Sequence, residues 1–494
     1  LLVYGRDCFR LHSFVNFKEK TMNTNGLSRR SFLKFAAGAT GVGGLAACMP
    51  SAPAAPPAAE QQSTGSDAAA APASQEGVLW GLQYDPHVET YKRLAEMFKE
   101  KGGATLAVEP QAWPLETKLI AALSAGTQPD VICIMGKVLI PLHIQKALMP
   151  LKESVYDAEG VNPEEDFIGD GIGAYTWEGE LYGVPTEVNG VGHVVNVPVD
   201  DVEAAGLADQ YPPTNGQPFF ESYESMWELA KALQVEKDGK VERWGLSSKG
   251  WDNQSYLGIL RTLLSKDGAD WWDNAAKKFN INSEAGVKAM ELFAETPVKM
   301  GIETELDQTQ IDAALAGKVA LARGNGTPAV QGRELGYNFF LTGAPKINNS
   351  DAPLFVGEAG WGFAAPKNSK HPDISQGFLR MMCTEEGQRG YSAIYGGIIP
   401  AWKGLVGNFD YYADPSPESP NVMAAKLVQD ALLPQTRYYG EGFGYPAEVD
   451  GIGGEICSLV RQGKLSAAEA AQQYQERAEA QYNQYLEDVK KVTG

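Results

Sequence analysis

"LETKLIAALSAGTQPDVICIM", residues 115–135, decides the fold. Pro114 stands just before it and Gly126 falls after its first half, which is the Pro-start and Gly-stop punctuation of a helix. "PDVICIM" (129–135) then runs apolar without alternation, as a strand buried on both faces does. Toward the N-terminus, "ATLAVEP" (104–110) reads as another strand. Before it, "ETYKRLAEMFKEKGG" (89–103) spaces Tyr91, Leu94, Met97 and Phe98 as one helical face, with Gly102 and Gly103 closing it. "GVLWGLQYD" (77–85) is a strand that turns polar at its end. Strand–helix–strand–helix–strand predicts a parallel sheet covered by helices. In such sheets ligands bind in the crevice beyond the carboxyl ends of the strands. Those ends carry Gln83, Tyr84 and Asp85, then Gln111 and Trp113, then Gly136 and Lys137.

The chain around this unit is long and acidic. Residues 77–494 are too many for one ordinary core and suit two lobes. Formal net charge is −20, and the first 47 residues carry seven basic and two acidic side chains, which leaves the remainder near −25. Such a surface argues against nucleic acid as a partner, because phosphate binding needs clustered Lys and Arg. No stretch after the leader approaches the roughly 20 apolar residues of a membrane span. Cys133, Cys383 and Cys457 are an odd set that gives no disulfide framework, although a Cys383–Cys457 bridge is one reading. Cys133, inside "VICIM", reads as a small core residue. The four histidines beyond the leader are widely spaced, so no metal site and no cofactor are expected.

The N-terminus carries an address. "SRRSFLK" (28–34), with Arg29 and Arg30, resembles a twin-arginine export signal, and "LAAC" (45–48) resembles a bacterial lipobox whose Cys48 takes the lipid. The soft stretch between them has the length of a signal core and is too short to span a bilayer. Residues 1–21 read as lying upstream of a start at Met22. After Cys48, the Ala-, Pro- and Ser-rich run to residue 76 reads as a disordered tether. The expectation is an exported protein, lipid-anchored at the outer face of the cytoplasmic membrane.

Five motifs in order extend the reading over 77–494. "LETKLIAALSAGTQPDVICIM" with "KALMPL", "EGELYGVPTEVNGVGHVVNV" (178–197), "AGLADQYPPTNGQPFFESYESMWELAKAL" (205–233), "AALAGKVALARGNG" (313–326) and the segment 360–402 together resemble family 1 extracellular solute-binding proteins, the carbohydrate-type lipoproteins of ABC importers. "FVGEAGWGF" (355–363), with Glu358 and Trp361 in a Gly-rich turn, departs from that pattern. The resemblance implies an α/β, two-lobe, periplasmic-binding-protein-like (type II) fold. Each lobe would be a mixed sheet flanked by helices, joined by a multi-crossing hinge. Lobe 1 would comprise 77–186 plus 345–396, and lobe 2 would comprise 187–344 plus 397–494. It also implies capture of a small solute, a sugar or oligosaccharide above all, by a monomer that delivers it to an ABC permease without catalysis.

Sugars need an aromatic face for their C–H surface and carboxylate, amide or Arg partners for their hydroxyls. By position against the family's binding stretches, the candidates are Gln83, Tyr84, Asp85, Lys137, Glu187, Asn189, Arg323, Asn325 and Tyr438. Trp113, Trp251 and Trp361 join them because they stand near predicted loop ends, whereas Trp271 and Trp272 read as packing residues. Glu187 leads the polar set because it directly follows the crossing strand "LYGVP". Two rivals remain. An acidic, aromatic cleft also suits a polyamine or other cationic solute, and paired carboxylates would suit a lipid-anchored glycan hydrolase. No nucleophile elbow, P-loop or His-Glu-x-x-His motif supports the latter. At the C-terminus, Ser466 and Glu469 form a predicted capping box, followed by a packing face of Tyr474, Ala478, Tyr482, Tyr485 and Val489.

Overall fold

The computed structural model describes residues 76–493, apart from 113–114, 139–141, 143–145, 178, 189–193, 213–219, 274, 348–352, 358–359, 394–398 and 439–447. Arg29, Arg30, Cys48, Trp113 and Asn189 therefore lie outside the described residues.

The opening stretch folds as its pattern predicts. Glu76–Leu82 pairs in parallel with Thr105–Gln111 along its whole length, from Glu76 opposite Thr105 to Leu82 opposite Gln111. Its other edge meets Val131–Met135, also in parallel, and all five residues of that strand are buried. Helix Asp85–Glu100 returns the chain over this sheet and buries His87, Tyr91, Leu94 and Phe98 at helical spacing. Helix Leu115–Ala125 packs Leu115 and Leu119 against Ile132 and Ile134 on the other face. Helices on both faces explain why Val131–Met135 has no polar alternation. Two more strands complete the sheet by antiparallel pairing, 361–364 against 131–135 and 184–185 against 361–364, in the order 105–111, 76–82, 131–135, 361–364, 184–185.

A second five-stranded sheet has the order 339–343, 194–198, 319–324, 240–247, 235–237. Of its neighbouring strand pairs, Lys240–Ser247 and Val319–Gly324 pair in parallel and the other three pairs are antiparallel. Its core holds Trp271 and Trp272, both essentially inaccessible, with Trp272 4.7 Å from the Phe279 ring and edge-on to Tyr482 at 5.0 Å. Both indoles are packing residues. The C-terminal helix Ala467–Thr493 starts at the predicted box: Ser466 N donates to Glu469 Oε2 at 2.9 Å, and Glu469 N donates to Ser466 Oγ. Tyr474, Ala478, Tyr482 and Tyr485 then face the core. The Val489 side chain lies outside the described residues. Cys133, Cys383 and Cys457 are all buried free thiols, with Cys383 in the first core and Cys457 in the second. The Cys383–Cys457 bridge is absent because each thiol is sealed inside a different core.

The chain passes between the sheets more than once. From Val184–Pro185 in the first sheet it runs through Glu187–Val188, which pairs with Ile399–Pro400, to Val194–Pro198 in the second. On the way back, Phe355–Gly357 pairs with Thr436–Tyr438 before Trp361–Ala364 rejoins the first sheet. Gly360 lies between them with φ of +66°, and a Cβ there would stand 2.1 Å from the Glu187 carbonyl oxygen. The two crossing segments thus pack backbone against backbone, at a spacing and a left-handed conformation that glycine supplies. Parallel crossings of this kind make a hinge, whereas a single strand would leave a loose linker.

Candidate ligand-binding cleft

The parallel strands of each sheet deliver their carboxyl ends to one edge. In the first sheet, Gln83 extends the ladder by one bond, its N–H donating to the Gln111 carbonyl at 2.8 Å. Gln83 and Asp85 are exposed and Tyr84 is half-buried at the start of helix Asp85–Glu100. Under Tyr84 lies His87, with ring centroids 5.8 Å apart. His87 meets Trp361 edge-on at 4.9 Å, and its Nδ1 is 2.7 Å from the Tyr91 hydroxyl. Burial pushes the imidazole down to about 3, so it is a neutral packing group at ordinary pH.

In the second sheet, Lys240–Ser247 ends in the turn Ser248–Trp251, and Val319–Gly324 ends at Asn325. Trp251 is half-buried and lies against the second strand end: a Cβ on Gly324 would fall 2.5 Å from Trp251 Cδ1 and 2.3 Å from Gln310 Nε2. A side chain at 324 would displace the indole. Asn325 Oδ1 accepts from Thr327 N at 3.1 Å, and Asn196 Nδ2 donates to the Asn325 carbonyl at 2.7 Å, which fixes the turn into helix Thr327–Gly332. Beneath Trp251 is a buried charge network. Arg461 reaches Asp252 Oδ1 at 2.5 Å and Glu305 Oε2 at 2.8 Å, and Lys249 Nζ lies 2.8 Å from Glu305 Oε1. Glu303 Oε1 accepts from Ser248 N at 2.8 Å, and burial raises that carboxyl to about 7.

The two edges face one another. Gln331 Nε2, from helix Thr327–Gly332, donates to the Tyr84 hydroxyl oxygen at 2.9 Å. A side-chain bond of that length brings the carboxyl ends of both sheets together, so a gap between the lobes would open beside it.

The sequence candidates divide on this geometry. Gln83, Tyr84 and Asp85 stand on one side of the gap, and Trp251 and Asn325 belong to the strand ends on the other. Arg323 points away: it is 2% exposed, with its guanidinium over the rings of Tyr223 (5.7 Å) and Phe293 (5.3 Å), because alternation along a strand sends it to the face opposite Gly324. Glu187 is 1% exposed and accepts from the Tyr391 hydroxyl at 3.3 Å, inside the crossing. Trp361 is 7% exposed in the first core. Lys137 and Tyr438 have described backbones, in a short turn after Met135 and in Thr436–Tyr438, but their side chains lie outside the described residues. Gln331 was missed. A lone glutamine near the end of a Pro-started six-residue helix carries no signal that separates it from a surface residue.

Among the described residues no group of three or more His, Cys, Asp or Glu is placed to hold a metal ion, and no helix is long and apolar enough to cross a membrane. Residues 93–417 match the family model of the bacterial extracellular solute-binding proteins. The chain belongs to that family. Solved structures share the fold of this solute-binding protein. An ABC-transporter binding protein from Thermotoga lettingae bound with α-D-tagatose superposes with a TM-score of 0.65 at 16% identity, covering 83% of this chain and 100% of that one. The maltose/maltodextrin-binding domain from Bdellovibrio bacteriovorus with maltotriose gives 0.64 at 16% identity, covering 83% and 100%. An ABC-transporter-associated binding protein from B. animalis subsp. lactis with β-1,6-galactobiose gives 0.62 at 16% identity, covering 83% and 98%. No curated protein matches the chain in a sequence search. The solute-binding protein has the two-sheet α/β fold expected of it, and its family binds solutes and does not transform them.

Proposed function

We propose that this solute-binding protein captures a sugar or oligosaccharide between its two lobes and hands it to an ABC import permease. The moving bodies are 77–186 plus 345–396 and 187–344 plus 397–494, except that the stretch around Leu354–Val356 goes with the second lobe, where Leu354 N donates to Thr262 Oγ1 and Val356 packs in the second core. The observation that carries the reading is the meeting of the two sheets' carboxyl ends at the Tyr84–Gln331 bond, with Trp251 laid against Gly324 at a second-sheet strand end. An indole offers a flat apolar face to sugar C–H groups, while Gln83, Asn325 and Gln331 supply neutral donors and acceptors for hydroxyls. The sugars held by the structural neighbours support the same class. Glu187 is enclosed in the crossing with Tyr391, while Asp85 stands exposed beside Tyr84 and would suit a cation, so a polyamine is the second reading, placed behind a sugar because the structural neighbours hold sugars. Export by the twin-arginine route and anchoring through a lipid on Cys48 complete the proposal and would hold a monomer beside its permease.

The test is calorimetry and thermal unfolding of the purified protein against mono-, di- and trisaccharides, with spermidine as the cationic arm. A saccharide should bind near micromolar, about −8 kcal/mol, and raise the melting temperature with concentration. Silence across the sugars at millimolar concentration, with salt-sensitive spermidine binding, would replace the sugar by a cation.

A further inference from the structure

The Tyr84–Gln331 bond has a particular place in the fold. Tyr84 follows Glu76–Leu82, which lies three strand positions from Val184–Pro185, where the chain leaves the first sheet. At roughly 4.8 Å per strand that is about 14 Å. The crossing segments at Glu187–Val188, Gly360 and Ile399–Pro400 all leave from that far side of the sheet. Gln331 sits on the second lobe, on the short helix that follows Val319–Gly324. A bond this far from the hinge acts at the long end of the lever, where opening separates the lobes most. A second observation agrees. Burial raises the Tyr84 hydroxyl pKa, the Gln331 bond opposes that rise, and the charge of Asp312, on the second-lobe helix Gln310–Leu315, adds a smaller push upward. The hydroxyl therefore keeps its proton while its oxygen accepts from Gln331.

We propose that Tyr84 and Gln331 form a latch across the mouth of the cleft that biases the solute-free protein toward its closed form. This rests on the reading of the protein as a hinged clamp. In most clamps only the guest bridges both lobes, so closure without it has no reward. Here a protein–protein bond supplies part of that reward beforehand. A net worth typical of a neutral hydrogen bond shifts the closed-to-open ratio about fivefold. The solute must then enter through the minor open population, which slows capture by that fraction, and the latch re-forms behind a guest small enough to leave it room.

The experiment is small-angle scattering on the full chain with no solute added, comparing the wild type with Gln331→Ala, Tyr84→Phe and the double variant. Tyr84→Phe keeps the ring on His87 and removes only the oxygen. The latch predicts a larger radius of gyration for each single variant, and a double variant no larger than either single one, because one bond cannot be broken twice. Four superimposable curves would overturn the proposal. So would additive single effects, which would show two independent local disturbances. No sugar enters this experiment, so its failure would leave the calorimetric result standing, and a cationic solute in calorimetry would leave the latch standing.

Discussion

Arg461 and Asp252 are joined at 2.5 Å with side-chain exposures of 1% and 9%. The pair ties the last turn of helix Glu448–Arg461 to the first residue of helix Asp252–Leu264, directly after Trp251. Arg461 also holds Glu305, which in turn holds Lys249. The turn that carries Trp251 therefore stands on a charge network centred on Arg461, about 210 positions later in the chain.

Breaking that network leaves buried carboxylates without their cation. Arg461→Ala should cost about 3–5 kcal/mol of stability, seen as a lower urea midpoint. Arg461→Lys should recover only part of it, because an ammonium cannot present the planar fork that reaches two carboxylates. An unchanged midpoint for Arg461→Ala would show that the pair contributes nothing.

The two lobes should answer acid with opposite signs. His87 falls from 6.5 to about 3 on folding, so the unfolded chain binds the extra proton between those values. Its contribution to stability is full above pH 6.5 and is lost as pH falls toward 3. Glu303 rises from 4.5 to about 7, so the folded chain holds the extra proton between those values. Its contribution is full below pH 4.5 and is lost as pH rises toward 7. Between pH 4.5 and 6.5 the slopes oppose, each up to about 1.4 kcal/mol per pH unit. Relative to wild type, His87→Gln should gain stability toward acid and Glu303→Gln should gain it toward neutral pH. Urea midpoints from pH 4.5 to 8 would show this, and parallel curves for all three proteins would refute it.

Two tryptophans should separate binding from folding. Trp251→Ala removes an indole from the cleft and should weaken sugar affinity about 10- to 100-fold, the worth of about 1.4–2.7 kcal/mol of apolar contact, with little change in melting temperature. Trp361→Ala empties a site in the first core and should destabilise by about 3–5 kcal/mol. If calorimetry and thermal melts gave the reverse assignment, the cleft would be misplaced.

Gly360 tests the hinge. Alanine there must adopt φ near +66° and place Cβ within 2.1 Å of the Glu187 carbonyl oxygen. The backbone conformation alone costs about 1–2 kcal/mol, and the crossing strand must also move. Gly360→Ala should lower the melting temperature and shift sugar affinity together. A normal melt with normal affinity would mean that the crossing segments are not tightly paired.

The first sheet was legible because its signals are local. The apolar run of Val131–Met135, the face of Tyr91, Leu94 and Phe98, and the Pro114 and Gly126 boundaries each lie within a few residues. The box at Ser466 and Glu469 is legible for the same reason. The cleft was only half legible. Strand ends predict where Gln83–Asp85 and Trp251 lie, but not which way a side chain points. Arg323 and Gly324 are neighbours on opposite faces of one strand, and only the register of the second sheet decides which meets the gap. Glu187 follows a crossing strand, yet the approach of Gly360 from 173 residues later encloses it. Gln331 became visible only when Tyr84 was placed opposite.

The clamp itself is tested most directly by hydrogen–deuterium exchange of the full chain with and without the sugar that calorimetry selects. A guest gripped by both lobes should slow exchange at Gln83–Val88 in the first lobe and at Ser248–Trp251 and Asn325 in the second, to the same saturation curve. Slowing confined to one lobe, with the other unchanged at saturating sugar, would contradict the account.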